Sequence, residues 1–142
     1  MSSPAGTAIR RWLDGTGPPP DYNDMLGAAL LSAGDGRCAM SWRPPAGLAN
    51  FAGSVQGGFI ATFLDLCSFA AGMTVVAEDD ALVSLKLDVE FARPVRPGPS
   101  YRGDAEVVVR SRRRVTADAV LRDEQGRLVA RAAHLLLPVT GS

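Results

Sequence analysis

The sequence has few of the residues from which disulfide frameworks and metal sites are built. Its 142 residues include two cysteines, Cys38 and Cys67, and a single histidine, His134. Two cysteines provide no disulfide framework, and one histidine supplies a zinc or di-metal site poorly. We therefore expect no metal and no cofactor, and a protein of the reducing cytoplasm.

The sequence also lacks an excess of charge of either sign and an apolar leader. Fifteen Lys and Arg residues balance fifteen Asp and Glu residues, which argues against bulk binding to nucleic acid or to an anionic membrane. The opening stretch MSSPAGTAIRRWLDG contains no apolar run of the kind that a secretory signal needs. Residues 57–76 could span a membrane only with the central Asp65 costing about 2.5–3.5 kcal/mol, so we expect a buried helix instead.

Length and composition predict a single domain. Residues 1–20 are expected to form an N-terminal extension with a short helix, which the run GTGPPP ends. Residues 21–142 are then the domain proper. Within it, residues 57–76 are apolar for about twenty positions, enough at 1.5 Å per residue for a helix about 30 Å long.

Six segments of the domain have the pattern of strands. AALLS and RCAMSW flank the turn AGDG, and three strand-like segments, YRGDAEVVVRS, RVTADAVLRD and GRLVARAAHLLLPV, follow later in the chain. The sixth segment, LVSLKLDVEF, lies between RCAMSW and YRGDAEVVVRS. Its apolar and polar residues alternate, which predicts a strand with one buried face. The apolar members are Val83, Leu85, Leu87, Val89 and Phe91. One antiparallel sheet needs a cover for its apolar face, so the sequence predicts an α+β fold with the sheet curled round the long helix.

Two features of the long helix suggest chemistry. Gly57 and Gly58 lie at its start, where free N–H groups and the helix dipole can bind an anion or polarise a carbonyl oxygen. Asp65 is its only charge, on a narrow strip with Thr62 and Ser68. The glycines could instead form only a tight turn. Asp65 could be a structural carboxylate that is paired or meets solvent, or a general base or nucleophile in a partly dry cleft.

Geometry separates these two features within one chain. Eight residues at 1.5 Å place Asp65 about 12 Å along the axis from Gly57. An antiparallel helix of a second subunit could bring the partner's N-terminus to Asp65, which would give two composite sites in a two-fold dimer.

The stretch NFAGSVQGGFIATFLDLCSFAA resembles the hotdog-fold acyl-CoA thioesterases, in particular the phenylacetate-pathway (PaaI-like) group. Members show Asn-x-x-Gly-x-x-His-Gly-Gly and then an acidic residue eight positions after the first paired glycine. Asn50, Gly53, Gly57, Gly58 and Asp65 fall in that register. The resemblance implies a curved sheet of about six strands round one central helix, dimers that join their sheets, and a homotetramer.

The resemblance also implies hydrolysis of an acyl-CoA thioester and gives roles to matched residues. Asp65 would be the nucleophile or the general base, and the Gly57 N–H would be the oxyanion donor. Asn50 would orient water or the thioester, and Ser84 matches a strand hydroxyl that positions water in some relatives. Gln56 stands where many relatives have His; it can orient a group but cannot titrate near neutral pH.

Further residues are expected to bind substrate. Gly58 and Ser68 lie on the polar strip of the helix. Arg110 and Arg113 belong to a basic cluster at a hairpin tip, a region where the family often holds CoA phosphates. The same residues could instead form only a solvated, charged turn. His134 has no acidic or nucleophilic neighbour in sequence and is expected to be structural.

Two other functions remain open at this point. Gln56 in place of His is compatible with a non-catalytic acyl-CoA or lipid-binding module. Hotdog proteins also include enoyl-CoA hydratases, which usually pair an acid with a histidine. His134 is the sole histidine available for that pairing, and its position near the C-terminus argues against it.

Overall fold

A computed structural model describes residues 4–140 as three helices and six strands. The predicted segments 1–20 and 21–142 therefore each include terminal residues that lie outside the described range. The helices are α1 (Pro4–Leu13), α2 (Asn23–Leu26) and α3 (Gly57–Met73), with a 3₁₀ turn at Ala46–Leu48. The strands are β1 (Ala28–Gly34), β2 (Arg37–Trp42), β3 (Asp80–Phe91), β4 (Tyr101–Arg110), β5 (Val115–Arg122) and β6 (Leu128–Thr140).

All six strands form one antiparallel sheet in the order β1-β2-β4-β5-β6-β3. The first hairpin turns at Asp35 and Gly36, which both have positive φ, 53° and 76°, as the tight turn between two strands requires. The sheet curves round α3, and the predicted α+β architecture is confirmed. The strand β3 lies at one edge, and no other strand of residues 4–140 pairs with its outer side.

The long helix begins at the predicted residue and ends earlier than predicted. It ends at Met73 rather than at residue 76. Thr74 explains the difference, because its hydroxyl donates to the carbonyl of Ala71 over 2.7 Å and accepts the N–H of Gly36 over 2.8 Å. This side-chain bond competes with another helical turn and ties the end of α3 to the first hairpin.

An aromatic pair forms the centre of the core between sheet and helix. Trp42 and Phe63 stack with ring centroids 4.8 Å apart and planes 6° from parallel. The Trp42 indole N–H donates to the carbonyl of Leu26 over 2.7 Å. Gly103 on β4 lets the Phe63 ring approach, since a Cβ there would lie 2.4 Å from Cε1. Trp42 and Trp12 are both buried.

The predicted alternation of β3 is wrong over its first half. A β-bulge between Ser84 and Lys86 shifts the register against β6, and one extra residue exchanges the two faces of a strand. Leu87 therefore packs against the core cluster, while Val83 and Leu85 are exposed. Ser84, which the simple alternation put on the polar face, instead contacts the buried His134.

The N-terminal extension packs on the body of the domain. Trp12 of α1 joins the main core. Arg10 donates through Nη2 to the carbonyls of Ala77 and Asp80, at 2.7 and 2.9 Å. These bonds fix α1 to the connection between α3 and β3, so the extension closes one end of the apolar layer.

Candidate active site

The start of α3 presents free backbone donors. Phe59 and Ile60 donate their N–H groups to the carbonyl of Gln56, at 2.9 and 3.4 Å. The N–H groups of Gly57 and Gly58 have no acceptor among residues 4–140. The Gln56 side chain is exposed and caps nothing. This helix end therefore offers two adjacent donors at the positive end of the dipole.

The backbone before the helix holds these donors in place. Val55 donates to the carbonyl of Val95 over 2.8 Å, and Gln56 donates to the carbonyl of Leu48 over 2.9 Å. Asn50 shapes the same loop, because its Oδ1 accepts the N–H groups of Ala52 and Ser54, at 2.9 and 3.2 Å. The side-chain oxygen of Asn50 therefore bonds within the loop, and its side-chain Nδ2 is the group left for other contacts.

Phe91, predicted only as an apolar residue of its strand and not as a site residue, lies over the first glycine. A Cβ at Gly57 would be 3.3 Å from the Cζ of the Phe91 ring. Gly57, Ile60 and Phe91 line an open groove of about 320 Å³ together with Val55 and the segment 92–95. A glycine at residue 57 keeps this groove open beside its own N–H.

Asp65 projects from the middle of α3 and is about half-buried, with its side chain 45% exposed. Burial raises the pKa of the Asp65 carboxyl above its ordinary value of 3.8, and the nearby His134 opposes this in part. Burial, and to a smaller extent the charge of Asp65, raises the pKa of Tyr22. A carboxylate whose protonation is shifted by a dry setting is typical of a functional site.

His134, expected to be structural, lies beside Asp65. Its Nε2 is 4.0 Å from the Asp65 Oδ1. The sequence could not show this proximity, because distance along the chain says nothing across a sheet: β6 packs against α3 and brings residue 134 to the middle of the helix. Burial lowers the pKa of His134, with Asp65 opposing this in part. The lowered pKa favours the uncharged imidazole at neutral pH, which weakens any ion-pair character of this contact.

Two serines complete this cluster. The Ser68 Oγ and His134 Nδ1 are 2.7 Å apart, and the Ser84 Oγ and His134 Nε2 are also 2.7 Å apart. Ser68 is fully buried, which leaves no surface for the predicted direct contact with substrate. Ser84 reaches the cluster because of the bulge in β3. The Asp65 carboxylate and the Ser84 hydroxyl therefore both lie near Nε2 of the buried His134 imidazole.

The basic hairpin lies at the other end of α3. Arg110 lines an open cleft of about 500 Å³ with Val75, Asp80 and other residues beyond the helix end. Arg112 lines it too. Arg113 is exposed and does not line it, and its backbone N–H donates to the Ser111 hydroxyl over 3.3 Å.

The predicted site residues thus form three groups along one helix. Asn50, Gln56, Gly57 and Gly58 lie at its N-terminus, the Asp65 cluster at its middle, and the arginines beyond its C-terminus. Within residues 4–140, no three His, Cys, Asp or Glu side chains are placed to hold a metal ion. No helix in the same range is both long and apolar enough to cross a membrane.

Comparisons with known proteins agree with this architecture. The family model of the Thioesterase superfamily matches residues 52–130, more than half of the chain. A phenylacetic acid degradation-related protein of Ralstonia eutropha is 26% identical, with a TM-score of 0.82 over 92% of this chain and 98% of that one. A search of curated proteins finds no match.

Two further solved structures share the fold at lower identity. A thioesterase family protein of Silicibacter pomeroyi is 23% identical, with a TM-score of 0.82, covering 95% of this chain and 98% of that one. A hypothetical thioesterase of Streptococcus pneumoniae, solved with coenzyme A, is 18% identical, with a TM-score of 0.74, covering 83% of this chain and 91% of that one.

Proposed function

The chain belongs to the thioesterase superfamily, and we propose that it hydrolyses an acyl-CoA thioester to the free acid and coenzyme A in the cytoplasm. The resemblance to the PaaI-like group of hotdog-fold thioesterases is confirmed. Family membership makes the chain a thioester hydrolase. Coenzyme A as the thiol half rests on the resemblance and on the coenzyme A held by the Streptococcus pneumoniae protein of the same fold.

The observation that carries the proposal is that the half-buried Asp65 carboxylate and the Ser84 hydroxyl lie 4.0 and 2.7 Å from the same nitrogen of His134. Asp65 acts as a general base: it takes a proton from a water molecule, and the water oxygen bonds to the acyl carbon. The tetrahedral intermediate collapses, the carbon–sulfur bond breaks, and the leaving thiolate receives the proton from Asp65. Ser84 orients the water. A carboxylate and a hydroxyl arranged round one point suit a bound water better than direct attack by Asp65.

The oxyanion forms against the start of the helix. The free N–H of Gly57, supported by that of Gly58, donates to the developing negative charge where the dipole is positive. Gln56 directly precedes these donors, and Asn50 belongs to the same loop. They orient the thioester by hydrogen bonds, because neither can exchange a proton near neutral pH.

The two halves of this machinery belong to different subunits. Gly57 and Asp65 are about 12 Å apart along one helix, so a single thioester carbonyl cannot contact both in one chain. A second, antiparallel α3 that crosses near Ala61 would set each Gly57 beside the partner's Asp65. The free edge of β3 supports such a dimer, since Val83 and Leu85 are 46% and 61% exposed there and an unpaired apolar edge tends to pair. A homotetramer would follow from two such dimers.

The arginines fit the same arrangement. Arg110 and Arg112 line the cleft beyond the end of α3 at Met73, which is about 24 Å along the helix axis from Gly57 of their own chain. In the antiparallel pair, Met73 comes about 12 Å along the axis from the Gly57 position of the partner. Phosphates of coenzyme A would bind there by bidentate guanidinium contacts, with Arg113 at the rim. An extended pantetheine arm would then lead to the carbonyl.

The contact of 4.0 Å between His134 and Asp65 is one observation that favours a hydratase, since an acid and a histidine do meet. Hydration needs the histidine to exchange a proton with the substrate, however. His134 is fully buried and both of its nitrogens are engaged by serines. We therefore expect no addition of water to an enoyl-CoA.

The test is release of free thiol from acetyl, medium-chain, long-chain and aromatic acyl-CoA thioesters. We expect turnover on at least one of them and its loss in Asp65→Asn, which keeps shape and removes the base. Asp118→Asn, on the exposed outer face of the sheet, is the matched control and should keep full activity. Binding of acyl-CoA without hydrolysis would favour the non-catalytic module instead.

A further inference from the structure

The hydrogen bonds round His134 have a direction that the distances alone do not give. Both ring nitrogens contact a hydroxyl oxygen at 2.7 Å, Nδ1 that of Ser68 and Nε2 that of Ser84. A neutral imidazole carries one proton, so one nitrogen donates and the other accepts. Whether Nδ1 or Nε2 carries the proton decides whether the Ser84 proton points toward the imidazole or toward the site.

Ser68 fixes the choice. Its Oγ lies 2.7 Å from the carbonyl of Leu64 and 3.2 Å from that of Asp65, the usual back-bonding of a helical serine. The hydroxyl has a single proton, and that proton is needed between the two oxygens at 2.7 Å. The Ser68 oxygen can then only accept from His134, so the proton of the imidazole is on Nδ1.

The opposite tautomer conflicts with the same distances. If Ser68 donated to Nδ1, its oxygen would face the Leu64 carbonyl oxygen at 2.7 Å with no proton between them. That places two lone pairs in contact inside the core, where an unmade hydrogen bond costs about 1–3 kcal/mol. With the proton on Nδ1, every polar group in this chain of contacts is satisfied.

We propose that His134 is a positioning residue whose Nε2 accepts a hydrogen bond from the Ser84 hydroxyl. This bond turns the lone pairs of the Ser84 oxygen toward the site. This inference rests on the proposed function. Ser84 and ionised Asp65 are then both acceptors. A water between them donates one proton to each and directs its own lone pair at the thioester carbonyl, which is the orientation that attack requires.

The tautomer can be measured without any enzymatic assay, because His134 is the sole histidine in the sequence. Long-range proton–nitrogen NMR of protein labelled with ¹⁵N-histidine at neutral pH should show one pair of ring nitrogens, protonated at Nδ1 and unprotonated at Nε2. Protonation at Nε2 would overturn the inference. The NMR spectrum does not depend on hydrolysis of any acyl-CoA. The tautomer of His134 can therefore be confirmed or refuted independently of the proposed function.

A pair of variants tests the part played by Ser68. Ser68→Ala removes the acceptor for Nδ1, and the Nε2-protonated form should then appear in the NMR spectrum. Thr62→Ala is the matched control, because the Thr62 hydroxyl makes the same kind of back-bond to Gly58 over 2.9 Å but does not contact the imidazole. An unchanged tautomer in Ser68→Ala would contradict the mechanism.

A double-mutant cycle tests whether His134 acts through Ser84. Ser84→Ala and His134→Gln should each lower kcat, by about tenfold to a hundredfold, with KM nearly unchanged, because they misorient the water without touching the substrate. In the Ser84→Ala background, His134→Gln should cause no further loss of kcat. Multiplying losses would show that His134 has a separate, structural effect and would refute the positioning role.

Discussion

Replacing Gly57 by proline removes one backbone N–H and changes little else. Gly57 is the first residue of α3, where proline is well tolerated because that N–H has no partner within the helix. Gln56 before it has φ −58° and ψ 136°, the extended backbone that a residue preceding proline prefers. The helix should therefore form normally in Gly57→Pro.

The expected loss of activity follows from the role of that N–H. A single oxyanion donor contributes about 10² to 10³ in kcat, or about 2.7–4 kcal/mol of transition-state stabilisation. Proline also brings a Cβ to within 3.3 Å of the Phe91 ring. Gly57→Ala is the matched control, since it adds the same Cβ and keeps the N–H. The comparison of proline with alanine isolates the donor.

The assay is thiol release under saturating acyl-CoA, with thermal unfolding of each variant to confirm its fold. We expect Gly57→Ala to retain most of kcat, and Gly57→Pro to fall at least a hundredfold below it with little change in KM. Equal kcat values for the two folded variants would refute the assignment of the Gly57 N–H as oxyanion donor.

Three further predictions concern the core and the titrating groups. Gly103→Ala should lower the free energy of unfolding by about 1–3 kcal/mol, because the added Cβ would lie 2.4 Å from Phe63; urea denaturation checks this against Gly58→Ala, whose Cβ meets nothing within 4 Å. The acid limb of kcat/KM should lie above pH 3.8, because the base must be ionised and burial raises the pKa of Asp65; a limb at or below 3.8 would contradict this. Burial lowers the pKa of His134, so below its ordinary value of about 6.5 the unfolded chain binds a proton that the native state does not. The free energy of unfolding should therefore fall as pH drops through this window, and His134→Gln should lack that slope.

Most of the architecture could be predicted from local patterns. The turn at Asp35 and Gly36, the helix start at Gly57 and the closing strands follow from glycine placement and from the period of apolar residues. The end of α3 could not be predicted, because a tertiary bond between Thr74 and the first hairpin decides it. Helix propensity cannot predict where a helix ends when a hydrogen bond to another element decides it.

The candidate site was only partly predictable for the same reason. Asp65 could be found because a lone charge in an apolar helix is conspicuous. His134 could not, since β6 and α3 meet only in the folded chain. Ser84 was named through a family resemblance, but its inward orientation depends on a bulge that the alternating pattern conceals. A single histidine at an inward-facing strand position was the one signal available.

Subunit complementation tests most directly whether the thioester is cleaved between Asp65 of one protomer and the start of α3 of its partner. Asp65→Asn and Gly57→Pro, each expected to retain at most about a hundredth of the wild-type activity alone, are mixed under conditions that exchange subunits, and thiol release is followed. Each mixed dimer has one site with both wild-type residues, so activity should return to about a quarter of the wild-type value. No recovery in mixed dimers of demonstrated composition would place Asp65 and Gly57 in the same chain's site and contradict the account.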